Sequence, residues 1–159
     1  MTRRIAVLAT AAALLAAGAG WAVAGQATEP AQVVARDADG RQVAALALPS
    51  SGAFALTYRH SYHRRPAVER FLAAPDGSFR LVAIGSPSQG VLDYYEAAGA
   101  RTRAGGWWTL RLDRPVRFRA LPLAATAVGR RTLVAAGRRV PLFRRDGRAV
   151  HLVIAVEGG

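Results

Sequence analysis

Between Phe54 and Phe71 the chain reads FALTYRHSYHRRPAVERF, and residues able to do chemistry are concentrated there: His60, Ser61, His63 and Glu69. An imidazole beside a carboxyl is a general acid–base couple, because the carboxyl fixes the ring tautomer and raises its basicity. The same pair also serves structurally, holding register between two strands at little net gain in stability. His60, His63 and Glu69 together reach the smallest ligand set for zinc. Residues three apart on a strand point to opposite faces, so the two histidines converge only if a turn begins before His63. Ser61 is a nucleophile by type, but on a strand it faces away from His60, and no nucleophile elbow surrounds it. Arg59, Arg64, Arg65 and Arg70 flank the same segment. Guanidinium groups grip carboxylate or phosphate in a fork, and they also keep a sheet edge from pairing with other chains.

Two further sets carry chemical potential. Asp93 and Glu96 sit close together with Tyr94 and Tyr95. Paired carboxyls can hydrolyse glycosides, and a turn of surface helix accounts for them equally well. Trp107–Trp108 offers a stacking platform for sugars or bases, although neighbours on a strand face opposite ways, leaving one in the core and one partly exposed.

The elements that must position these groups are strands. Phe54, Leu56, Tyr58, His60 and Tyr62 alternate with smaller or polar residues, the period of a half-buried strand. A loop over His63–Pro66 predicts Tyr62 opposite Ala67, His60 opposite Glu69 and Tyr58 opposite Phe71. Elsewhere, Val33–Arg36 and Gln42–Leu48 form a hairpin about Asp37–Gly40. Further strands are predicted at Phe79–Ile84, Trp107–Leu112, Val116–Leu121, Leu133–Ala135, Arg139–Phe143 and Val150–Val156, with a turn at Asp113-Arg114-Pro115. Three Asp-Gly pairs and short strands every ~8–12 residues predict an all-β fold, an antiparallel sandwich or partly open barrel built of hairpins. Only Val91–Ala98 reads as helical, inside a loop insertion of the kind that often carries function.

The 159 residues contain no Cys, which excludes disulfides, thiolate metal sites and a cysteine nucleophile. No residue pattern calls for a cofactor. Net charge is +12, and every one of the 22 basic residues is Arg. Such charge suits an anionic partner: a small anion, a membrane surface or an acidic polymer. The arginines are scattered and no nucleic-acid motif accompanies them, so nucleic acid is not the expected partner. Arg3 and Arg4 precede an apolar run of about twenty residues ending in Ala22-Val23-Ala24. This predicts a signal peptide or membrane anchor over 1–24, helical in either case, and a β domain over 25–159 outside the cytoplasm.

Tyr58, His60, Ser61, Pro66 and Glu69 form an aromatic-x-H-S…P-x-x-E signature, followed by Asp76-Gly77 and a loop over Gly85–Gly90. In these residues the chain resembles a bacterial family of exported proteins called domain of unknown function eighteen-fifty. Its genes often lie beside those of TAXI-type TRAP transporters, which take up small organic acids. The resemblance therefore implies an accessory role near such a permease or its binding protein, and no catalytic residue.

The leading expectation is a non-enzymatic exported β-domain, with the arginine cluster making an anionic contact and His60 and Glu69 positioning the turn. Its rivals are a hydrolase or metal-dependent enzyme using His60 and Glu69, and a cationic domain adhering to anionic lipid or cell-wall polymer.

Overall fold

A computed structural model describes residues 30–158; the helical signal peptide or anchor expected over 1–24 lies outside them. The chain is an all-β sandwich of two antiparallel sheets that do not close into a barrel. Strands β1 (Gln32–Asp37), β2 (Gln42–Ala47), β8 (Leu121–Ala125) and β11 (Val150–Glu157) form a four-stranded sheet ordered β2-β1-β11-β8. Strands β3 (Ala53–Arg59), β4 (Pro66–Ala73), β5 (Phe79–Ser86), β6 (Gly99–Ala104), β7 (Trp107–Phe118), β9 (Thr132–Ala135) and β10 (Arg138–Pro141) form the larger sheet, ordered β10-β9-β3-β4-β5-β7-β6. One short helix, α1 (Gln89–Asp93), lies between β5 and β6, where the sequence predicts a helical insertion. No helix among the described residues is long and apolar enough to cross a membrane.

Period-two alternation explains the core. Val33, Ala35, Leu46, Leu152, Ile154 and Val156 come from the small sheet and meet Phe54, Leu56, Phe71, Phe79 and Leu133 from the large one. Burying both inner faces removes enough apolar surface to hold the layers together. At the centre, Phe71 stacks on Phe54 with ring centres 5.0 Å apart and meets Phe79 and Phe118 edge-on.

Turn chemistry is legible in the chain. Gly40, Gly77 and Gly147 of the three Asp-Gly pairs all take positive φ. Between β9 and β10 the two-residue turn Ala136-Gly137 has φ of 45° and 76°, the mirror-image turn whose twist matches the flanking strands. Ala136 carries its Cβ in a left-handed conformation that Asn tolerates better. Ala136→Asn is therefore expected to raise stability by about 1 kcal/mol, read as a higher urea midpoint at unchanged slope.

One expectation fails here, and one strand goes unforeseen. Asp113-Arg114-Pro115 does not reverse the chain. β7 runs straight through, and its extra residues bulge away from β5 between Leu81 and Ala83. A bulge accommodates a proline, which has no ladder hydrogen to give, as readily as a turn does. β6, sequence GARTRA, carries no alternation because it is an exposed edge strand; nothing in its pattern announces it.

Candidate functional site

β3 ends at Arg59, three residues earlier than the expected hairpin requires. Its partner there is Pro66, which lacks an N–H and stops the ladder. The intervening His60–Arg65 forms a loop closed by His60 N–H to Arg65 C=O at 2.8 Å and Arg64 N–H to His60 C=O at 2.9 Å. The register moves accordingly: Glu69 stands opposite Leu56, Tyr58 opposite Ala67 and Phe71 opposite Phe54. The expected ladder pairing of His60 with Glu69 does not form.

Both residues nevertheless face one cavity of about 650 Å³ at this end of the sandwich. Tyr58, Glu69, Tyr95 and Arg131 supply its polar lining, and the loop contributes His60 and Ser61. Tyr95 donates its hydroxyl hydrogen to Glu69 Oε1 at 2.5 Å. Its only proton is thereby used, so the hydroxyl contact between Tyr58 and Tyr95 has Tyr58 as the donor. The result is a relay from Tyr58 through Tyr95 to the carboxyl. Burial, then the neighbouring Glu69 charge, pushes the Tyr58 phenol up to about 12. The same causes, with Tyr58 added, push Tyr95 up as well.

His60 is 5 % exposed. Its Nδ1 accepts the His63 backbone N–H at 3.2 Å, which places the ring proton on Nε2. Burial, helped by the charge of neighbouring His63, lowers its pKa and keeps the ring neutral. No buried side-chain nitrogen or oxygen lacks a partner among the described residues, so the unbonded Nε2 keeps solvent access. Tyr94 packs edge-on against the ring at 4.7 Å.

Arg131 crosses the Tyr58 ring, its guanidinium carbon 4.8 Å from the ring centre. Its Nε donates to the Ala124 carbonyl at 3.2 Å, and no carboxylate among the described residues pairs with it. It has its two terminal nitrogens left to grip a ligand carboxylate.

The remaining candidates disperse. Ser61 lines the cavity from the loop, against the expectation that it faces away, and makes no hydrogen bond to His60. The His60 and His63 rings do converge, with centres 5.1 Å apart, because the turn begins at His60. The His63 ring lies over Gly90, where a Cβ would come within 2.9 Å of it. Among the described residues no three His, Asp or Glu side chains gather as a metal set. Asp93 pairs with Arg101 at 2.6 Å, and neither it nor Glu96 reaches the cavity.

The arginine cluster splits. Arg59 borders the cavity and also, with Arg64 and Pro66, a separate groove on the outer face of the large sheet. Arg70 lies farther along that face, over Gly85, and Arg65 is exposed on the loop. Trp107 is partly exposed while Trp108 packs against the core, as alternation requires. Local reading names Tyr95 only beside Asp93 and Glu96, and it misses Arg131 altogether. They lie 26 and 62 residues beyond Glu69, and no spacing rule connects them to it.

A family model described as Domain of unknown function (DUF1850) matches residues 54–142, more than half of the chain. That span begins at β3 and includes all of the large sheet but the first residue of that strand. No curated protein and no solved structure matches.

Proposed function

Because the chain belongs to the DUF1850 family, a domain of unknown function, we propose a role from its cavity: a non-enzymatic exported binding protein that serves a TRAP-type transporter and holds a small organic acid. The observation that carries this reading is Arg131, a guanidinium fixed by Tyr58 and Ala124 with no carboxylate partner among the described residues. A ligand carboxylate takes its free nitrogens, and the Nε2–H of His60 gives a second, neutral donor. The Tyr58–Tyr95–Glu69 relay receives a hydroxyl or ammonium group at the other end of the ligand.

Binding rather than turnover fits the way the groups are engaged. The His60 Nδ1 is held by a backbone N–H and the Glu69 carboxyl by a phenol, so neither activates the other. The leader expected from the sequence would deliver the domain to the outer side of the cytoplasmic membrane, where such permeases collect solute.

Titration calorimetry with a panel of hydroxy acids, dicarboxylates and amino acids tests the reading. One class is expected to bind. Arg131→Gln is expected to weaken that class about thirtyfold, the equivalent of ~2 kcal/mol for a charge-assisted contact, with the circular dichroism spectrum unchanged. A panel in which nothing binds, or a variant that binds as tightly as the parent, would overturn it.

A further inference from the structure

We propose that the outer face of the seven-stranded sheet, where Arg59, Arg64, Arg130 and Arg139 surround Trp107 and Phe143, docks on an anionic phospholipid bilayer. This surface adjoins the pocket holding Arg131 and shares Tyr58 and Arg59 with its rim, and the proposal does not depend on what that pocket binds.

The groove measures about 860 Å³ and has no acidic residue in its lining. All four arginines are exposed, and no carboxylate among the described residues lies within ion-pair distance of any of them. Two are held in place by local bonds: Arg59 Nε donates to the Arg64 carbonyl at 3.1 Å, and Arg139 reaches the Thr57 hydroxyl at 3.4 Å. Their remaining donors point to an external anion. Arginine repeats at this density on one face, without counter-charges, would be repulsive unless an anionic surface neutralised them.

Aromatic residues favour a bilayer over a soluble polyanion. Trp107 is 37 % exposed at the start of β7, and Tyr62, on the loop beside Arg64, is 78 % exposed. Amphipathic rings of this kind prefer the headgroup level of a membrane, where one side is apolar and the other wet. The floor of the groove, with Val68, Pro66 and Pro141, is apolar enough to sit against acyl-chain ends while the arginines hold phosphate.

Flotation of the protein with phosphatidylcholine vesicles, with and without phosphatidylglycerol, tests the proposal. Binding is expected only with phosphatidylglycerol, and it should fade as salt rises. Each arginine near an anionic leaflet strengthens partitioning about fivefold, so the Arg59→Gln/Arg139→Gln double variant should lose about 25-fold. Arg64→Gln/Arg130→Gln should do the same, and serves if the first pair misfolds. Arg41→Gln/Arg119→Gln removes equal charge from distant turns and should lose far less. Equal losses in all three variants, no vesicle binding, or binding to heparin in place of vesicles would each overturn the proposal.

Discussion

Phe71→Ala is expected to remove about 4 kcal/mol of stability. Phe71 is 2 % exposed and sits on β4, the middle strand of the large sheet. Its ring touches three other phenylalanines: Phe54 stacked, Phe79 edge-on at 5.8 Å and Phe118 edge-on at 6.4 Å. Truncation loses the transfer free energy of the ring and leaves a cavity that the facing sheets cannot close. Each aromatic contact adds roughly 0.5–1.5 kcal/mol beyond burial. Against a total of roughly 5–15 kcal/mol for a domain, the loss is a large share. Urea unfolding measures it. Leu72→Ala, one residue along and half-buried on the outer face, is the comparison, and it should cost much less. A loss at Phe71 no greater than at Leu72 would show that the aromatic cluster is not the centre of the core.

Stability is expected to fall by about 3 kcal/mol between about pH 10 and about pH 12. The chain has neither Lys nor Cys, and its arginines stay charged throughout, so its four tyrosines are the side chains that titrate there. Tyr58 is pushed up to about 12 by burial and then by Glu69, and Tyr95 is pushed up for the same reasons. The sign follows from the raised values. Below about pH 10 both states keep their phenolic protons and stability is complete. Above it the unfolded chain ionises freely while the folded relay cannot, so stability drains away as pH climbs through the folded values. Denaturant melts across this range, read beside tyrosinate absorbance, check it. Tyr58→Phe/Tyr95→Phe should flatten the alkaline fall. It should also lower stability at neutral pH by about 1–3 kcal/mol, because the half-buried Glu69 carboxyl loses its donor. A level stability across the alkaline range would mean that the relay is open to solvent.

The hydrogen-bond relay was not readable from the chain, although most of its positions were singled out. Alternation placed Tyr58, His60 and Glu69 on a common side, and the structure keeps Tyr58 and Glu69 on the inner face with His60 on the loop above them. The paired register was wrong by four residues. A shift of an even number leaves every side chain on its original face, so the hydrophobic pattern cannot detect it. What set the register was Pro66 ending the ladder and the loop closing on His60, a cost-benefit between backbone hydrogen bonds that no face pattern encodes. The bulge at Pro115 has a similar origin: a turn signal and a bulge signal share the same residues.

From the chain alone came the strand period, the inward faces, the tight turns at Asp-Gly, and the absence of thiol chemistry, because each depends on residues within a few positions of one another. Tertiary structure alone decided that Tyr95 would close on Glu69, that Arg131 would lie across Tyr58, and that the arginines around the central loop would part between a cavity and an outer face. Those contacts join segments that meet only after two sheets have packed, and packing is settled by the free energy of the whole core, not by any local run of residues.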